Sequence, residues 1–143
     1  FEEGWLKPLL DANHPVVSPH NPGDSRQQGI GRNGEKGWTN GRHFSGWCFM
    51  VSRDIWDRID GFDEDFRFWC ADDSVVEQLR AIGVAPMLVT RSRVRHLVSK
   101  TLGSEPARDE LTWAQVWAFE QKYGVAKFVG DARYEAWKQR NGK

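Results

Sequence analysis

Two features are missing from this sequence of 143 residues: an apolar run long enough to cross a membrane, and an excess of charge of one sign. A membrane-spanning helix needs about 18 consecutive apolar residues, and no run here approaches that length. The 20 basic and 20 acidic residues give a formal net charge of zero, so the overall charge does not indicate nucleic acid or a membrane surface as a partner. The first residues also lack the pattern of a signal peptide. We therefore expect a cytoplasmic protein with no membrane span and no nucleic-acid partner.

Cysteine is scarce as well, because Cys48 and Cys70 are the two in the chain. They do not have the spacing of a metal-binding motif, and their apolar, aromatic surroundings favour reduced core thiols over a disulfide. At this length a single domain is the default. The chain begins with Phe1 rather than methionine, so we expect it to be a piece of a longer protein.

Aromatic side chains, in contrast, are abundant: the chain has eight tryptophans and eight phenylalanines. Tryptophan adds bulk to a core, and its flat face also stacks on sugars and bases. Trp113, Trp117 and Trp137 lie on predicted helices at helical spacing, which favours core positions. Trp47 and Trp69 fit either role equally well, as a platform for a sugar ring or as part of the core.

Residues 20–42 are polar and rich in glycine, with no periodicity. This composition predicts a long mobile loop, and loops of this length in a compact domain are usually functional or disordered. The loop contains a G-x-G-x-x-G motif at Gly29, Gly31 and Gly34. We reject a dinucleotide-binding function for it, because no strand pattern precedes the motif and no helix pattern follows it.

The rest of the chain alternates between helix and strand patterns, which predicts an α/β fold. The strongest strand pattern is 43–52, which is aromatic and apolar and is interrupted by Gly46. A glycine inside a strand often marks the close approach of a ligand or another backbone. Three or four strands are few for a free-standing sheet, so we expect part of the sheet to lie upstream. The other expected strands are 16–19, 84–90 and 92–98, and the expected helices are 4–12, 53–60, 72–82, 106–123 and 131–140.

The segment 61–96 carries the most prominent polar residues. Asp72 and Asp73 stand where a helix pattern begins, the usual place for an aspartate that caps free backbone N–H groups. Gly83 ends this helix, and His96 follows the next predicted strand. Residues fixed on rigid elements in this way can converge on one site. The helix itself is predicted by apolar residues at helical spacing: Val75, Val76, Leu79 and Ile82.

Several short runs resemble the carboxyl-terminal half of family 2 glycosyltransferases, which have the GT-A fold. They are GWLKPLL at 4–10, VVSP at 16–19, GWCFMVSR at 46–53, IDGFDEDF at 59–66, ADD at 71–73, RVRH at 93–96 and FEQKYG at 119–124. The resemblance implies that residues 1–124 form the acceptor-side half of a GT-A domain with a mixed sheet flanked by helices. It implies a C-terminal helical extension at 125–143. The nucleotide-binding half, with its DXD metal motif, is missing from these residues.

Members of this family transfer a sugar from a nucleotide-sugar donor to an acceptor hydroxyl, generally with inversion. The resemblance therefore implies a glycosyltransferase fragment that is inactive alone and needs an N-terminal nucleotide-binding half. The acceptor would be a carbohydrate, a lipid-linked molecule or a protein. A divalent cation, Mn²⁺ or Mg²⁺, would neutralise the leaving diphosphate. The alternative is a non-catalytic GT-A remnant that binds carbohydrate or a partner protein.

The resemblance also implies a role for individual residues. Asp72 aligns with the general base, and such a base contributes about 10²–10⁴-fold to the rate. The family's second acid falls on Ser74, so the adjacent Asp73 is expected to replace it. His96 matches a histidine that completes the metal coordination in many members. The expected substrate-binding residues are Gly46, Trp47, Trp69 and Asp73.

Each of these residues also has an ordinary structural interpretation. From spacing alone, a helix cap is the more frequent role for Asp72, and the resemblance reverses that preference. Asp73 is evenly balanced between an acceptor contact and a cap. His96 alone would more often be a hydrogen-bonded histidine at the end of a strand than a metal ligand.

Overall fold

The structure is a computed structural model that describes residues 1–67, 69–97 and 107–143. The chain divides into two compact units. The first contains Phe1–Asp63 and the described residues from Asp72 onward to Leu97, and the second contains the described residues of Glu64–Ala71 and of 107–143. The expected functional boundary at residue 124 falls inside the second unit and stays a prediction.

The first unit is built on a sheet of four strands in the order β2-β4-β1-β3. Strands β1 and β4 are parallel, while β3 is antiparallel to β1 and β2 is antiparallel to β4. This mixed sheet with helices confirms the predicted α/β class. The strands are β1 (Val16–His20), β2 (Glu35–Lys36), β3 (Met50–Val51) and β4 (Met87–Arg93). The helices are α1 (Leu6–Asp11), α2 (Arg53–Arg58) and α3 (Ala71–Ala81). The first residue of α3, Ala71, is assigned to the second unit, and the rest of the helix belongs to the first.

The central strand β1 is covered on both faces. Val16 packs in one cluster with residues of α2 and α3, and Val17 packs in another with Leu9 of α1 and Val89 of β4. Successive residues of a strand point to opposite faces, so this division follows from the pleat. The parallel register places Val17 opposite Met87.

Helix α3 confirms the helical pattern after Asp72. Its apolar residues Val75, Val76 and Leu79 are buried, and Gly83 follows the helix with φ of 72°. Such a left-handed residue is the usual end of a helix, and the Gly83 N–H donates to the Arg80 carbonyl at 3.0 Å. Asp72 and Asp73 lie within the first turn rather than before it.

Three predictions for the first unit need correction. The strand at 43–52 is limited to β3, because the chain around Phe44 forms turns and a single bridge to Asn40. The expected strands 84–90 and 92–98 are replaced, up to residue 97, by the single strand β4. The segment 20–42 is more regular than expected, since it contains a 3₁₀ helix (Ser25–Gln27), strand β2 and a buried Gln27.

The second unit consists of α4 (Arg108–Tyr123), α5 (Ala132–Arg140) and the described residues of 64–71 around an aromatic core. Asp131 caps α5 through its side chain, which accepts hydrogen bonds from the N–H groups of Arg133 and Tyr134. Trp113 and Trp137 are buried and Trp117 is partly buried, which confirms their predicted core positions. The expected first residue of α4, Pro106, lies outside the described residues.

The structure also bears on two expectations from the composition, the state of the cysteines and the membrane span. Cys48 and Cys70 are both free thiols, and burial raises the pKa of the Cys48 thiol. Within the described ranges, no helix has both the length and the apolar character needed to cross a membrane.

Candidate functional site

The candidate site lies where the two parallel strands of the first unit end. Strands β1 and β4 finish side by side, with His20 paired to Arg93 and the Val94 N–H donating to the His20 carbonyl at 2.9 Å. Ligands of α/β sheets bind at the carboxyl ends of parallel strands. The chain that follows β1 carries Asp24 and Arg26, and the chain that follows β4 carries His96.

Asp24 and Arg26 form a bidentate ion pair. Arg26 donates to Asp24 through Nε at 3.0 Å and through Nη2 at 2.7 Å. These bonds hold the pKa of Asp24 below its ordinary value, and the nearby charge of His96 acts in the same direction. The same pair raises the pKa of Arg26, to which the charges of Asp72 and Asp73 also contribute. Asp24 therefore holds the guanidinium group, and the negative charges of Asp72 and Asp73 favour its charged form.

Asp72 lies against Gly46 in the first turn of α3. A methyl group added at Gly46 would overlap the Asp72 Cβ and would lie 2.9 Å from Oδ2 and 3.0 Å from Cγ. The Asp72 side chain is half-buried, and its Oδ1 accepts a hydrogen bond from the Asp73 N–H at 3.1 Å. The close approach predicted at Gly46 is thus an approach to the side chain of Asp72, and it does not occur within a strand.

Asp73 has different surroundings from its neighbour. Its residue is only 9 % exposed, and its Oδ1 accepts a hydrogen bond from Asn40 Nδ2 at 3.0 Å. A hydrogen bond to a buried carboxylate is charge-assisted and therefore strong. Asp73 is held in place by the fold, whereas Asp72 keeps part of its surface open to solvent.

Trp47 and His96 stack on one another. Their ring centroids are 4.9 Å apart and their planes differ by 8°. One face of Trp47 is thus covered by the imidazole ring and is closed to a sugar. Trp69 is half-buried against the aromatic core of the second unit, which favours a packing role for it.

The expected metal has no complete site in the described part of the chain. No three His, Cys, Asp or Glu side chains among those residues are grouped so that they could hold an ion. His96 stacks on Trp47, and the nearby Asp24 carboxylate is occupied by Arg26. The described residues therefore do not fit a metal by themselves. The role of His96 as a ligand stays a prediction that requires further ligands from elsewhere.

Three residues of this site could not be identified from the sequence alone. Asp24, Arg26 and Asn40 all lie in the polar segment 20–42, which has no periodicity and no motif that distinguishes them. In the structure, Asn40 donates a hydrogen bond to Asp73. The charge of His96 affects the pKa of Asp24, and the charges of Asp72 and Asp73 affect the pKa of Arg26. Their positions result from contacts between residues far apart in the chain.

Comparisons of the chain with protein-family models, with curated proteins and with solved structures found no match. The fold itself places the protein in the mixed α/β class.

Proposed function

We propose that this chain is the acceptor-side half of a cytoplasmic, inverting family 2 glycosyltransferase with the GT-A fold, and that Asp72 is the general base. One observation carries the proposal. Of two adjacent carboxylates, Asp73 is buried on Asn40, while Asp72 is half-exposed beside Gly46. One acid is anchored and the other can be reached by a substrate. The resemblance of the ADD motif supports the same assignment.

The reaction is a single displacement. Asp72 would accept the proton of the acceptor hydroxyl, whose oxygen forms a bond to the anomeric carbon as the bond to the nucleoside diphosphate breaks. An alcohol is a weak nucleophile at neutral pH, so a positioned carboxylate contributes about 10²–10⁴-fold to the rate. Attack from the face opposite the leaving group inverts the anomeric centre.

The other candidate residues would surround this step. Because Gly46 has no side chain, Asp72 can pack against it, and Trp47 presents the face that His96 does not cover. Asp73 would affect the acceptor indirectly, because it holds the first turn of α3, which also carries Asp72. A divalent cation, when bound, would neutralise the leaving diphosphate, with His96 as one ligand and the others outside the described residues.

The proposal requires a nucleotide-binding half from outside these 143 residues. The purified chain should therefore transfer no sugar from a panel of nucleotide sugars, with or without Mn²⁺ or Mg²⁺, while the complete enzyme that the proposal requires should do so. Release of the nucleoside diphosphate in the presence of an acceptor panel is the measurement. Turnover by the 143 residues alone would contradict the requirement for a separate nucleotide-binding half. A longer protein that binds a glycan without turnover would favour the non-catalytic alternative.

A further inference from the structure

Asn40 lies beside the acid pair in an unusual hydrogen-bonding state. Its Nδ2 group donates to the buried Asp73 carboxylate at 3.0 Å. Its Oδ1 atom is also buried, but it has no hydrogen-bond partner in the described part of the chain. A buried acceptor without a partner costs free energy. Turning the amide over would not help, because it would place Oδ1 against the carboxylate oxygen of Asp73.

The loop 39–46 contacts two successive residues of α3. Asn40, near its start, binds Asp73, and Gly46, at its end, packs against Asp72. Asn40 and Asp73 are 33 positions apart in the sequence. The loop therefore fixes the first turn of α3 at two points, and one of them is the candidate base.

The loop is itself held in place by hydrogen bonds. The His43 N–H donates to the Thr39 carbonyl at 2.9 Å, and the Gly41 N–H donates to the carbonyl of the fully buried Phe44 at 2.8 Å. The buried Gln27 also donates through Nε2 to the Gly41 carbonyl at 3.0 Å. Support of this kind is what holds a functional side chain in a productive geometry.

We propose that Asn40 is a positioning residue: its bond to Asp73 locks the first turn of α3 onto the loop 39–46 and so keeps the Asp72 carboxylate at Gly46. The inference deepens the proposed function and rests on it for the role of Asp72 as base. The geometry that it requires can be tested on the 143-residue chain without any enzyme assay.

Nuclear magnetic resonance tests the geometry directly. The side-chain amide protons of Asn40 should exchange slowly, and Asp73→Asn should remove that protection. Asn40→Ala should shift the backbone amide signals of Gly46 and Asp73. The matched control is Asn33→Ala, since Asn33 is exposed in the same polar segment and has no hydrogen bond within the described residues. It should leave both signals in place.

The inference is overturned if Asn40→Ala leaves the Gly46 and Asp73 signals at their wild-type positions, or if Asp73→Asn leaves the Asn40 amide protected. Should Asn40→Ala fail to fold, Asn40→Ser replaces it in the same measurement. The serine hydroxyl is a shorter donor, so it should restore folding while still shifting the signal of Gly46. Unchanged signals in this variant would equally overturn the inference.

Kinetics of the complete enzyme that the proposed function requires give the second test. Asn40→Ala should lower kcat by about ten- to a hundred-fold, because misplacing a catalytic group by about 1 Å has effects of this size. The acceptor KM should stay within about two-fold, since no ground-state contact is removed. A raised KM with unchanged kcat would make Asn40 an acceptor contact instead. If the wild type transfers no sugar, the proposed function fails, and the resonance measurements still decide the positioning role.

Discussion

At the scale of single residues, Asp72 and Asp73 show how two identical side chains acquire different roles. Consecutive residues of a helix point about 100° apart, so the two carboxylates face different parts of the unit. Asp73 points to Asn40 and is buried, while Asp72 points to Gly46 and remains half-exposed. The anchored acid contributes to structure, and the reachable acid is suited to proton transfer.

This difference predicts opposite effects for two isosteric substitutions. In the complete enzyme that the proposed function requires, Asp72→Asn should lower kcat by about two to four orders of magnitude, because an amide cannot accept the acceptor's proton. Its melting temperature should change little. Asp73→Asn should cost less activity and more stability, because it weakens a buried, charge-assisted hydrogen bond from Asn40. Steady-state kinetics and thermal unfolding of both variants are the measurements.

Two outcomes would contradict this assignment. If Asp72→Asn keeps a near-normal kcat while Asp73→Asn abolishes turnover, Asp73 is the base and the register of the ADD motif is shifted by one residue. If neither substitution changes the rate, both acids serve the helix alone and the catalytic proposal for this chain fails.

The close contact at Gly46 gives a second prediction at this scale. Gly46→Ala should displace the Asp72 side chain, because the new methyl group would overlap its Cβ. We expect a loss of kcat of about ten-fold or more. Gly31→Ala is the control, since nothing lies within 4 Å of a methyl group there and its φ is not left-handed. Equal activity of the two variants would show that the Gly46 contact does not position Asp72.

At the scale of elements, the polar segment 20–42 is fixed by a cluster of charges. Glu35 on β2 accepts two hydrogen bonds from Arg42 at 2.8 Å each and one from His43 Nε2 at 2.6 Å. The His43 Nδ1 accepts from the Thr39 N–H at 3.1 Å, so Nε2 carries the proton that is donated to Glu35. Strand β2 is thereby tied to the middle of the loop 39–46.

This cluster predicts a pH dependence of stability. The hydrogen bonds from Arg42, and then from His43, lower the pKa of Glu35 from 4.5 to about 2. A carboxyl group with a lowered pKa stabilises the fold above its ordinary pKa, and this contribution is lost as the pH falls from about 4.5 towards 2. In Glu35→Gln, the free energy of unfolding should therefore decrease less steeply with falling pH than in the wild type.

Urea unfolding at several pH values between about 5 and 2.5 measures this difference. Glu3→Gln is the control, because Glu3 is exposed and has no hydrogen bond in the described part of the chain. Its pH profile should follow that of the wild type. Parallel profiles for Glu35→Gln and the wild type would show that the cluster does not stabilise the fold.

The elements also show which structural features a sequence determines locally. The pattern of α3 depends on residues one or two turns apart, and the structure confirms it, including Gly83 at its end. The apolar pattern at 43–52 predicts a strand where the structure has turns before β3. A buried turn and a buried strand share an apolar composition, as the fully buried Phe44 illustrates. Asn40 and Arg26 could not be predicted, because long-range packing alone places them beside Asp72 and Asp73.

At the scale of the whole molecule, the chain builds a separate core in each of its two units. The first unit buries aliphatic residues against its sheet, with Leu79 of α3 fully buried. The second buries mainly aromatic residues, together with Val116 of α4, which is also fully buried. Burial raises the pKa of Tyr134 in that core, and its hydroxyl donates to Glu120 at 2.8 Å. Each core can therefore be weakened by a substitution of its own.

Two core substitutions test whether the units are stabilised independently. Leu79→Ala should destabilise the first unit by about 2–5 kcal/mol, as buried leucines do. Val116→Ala should destabilise the second by about 1.5 kcal/mol or more, since two methyl groups are lost at about 0.8 kcal/mol each. Amide hydrogen exchange separates the effects. Leu79→Ala should lower protection in β1 and β4 and spare α4, and Val116→Ala should do the reverse. If either variant lowers protection equally in β4 and α4, the two cores unfold as one cooperative unit and the substitutions cannot be assigned to separate parts of the chain.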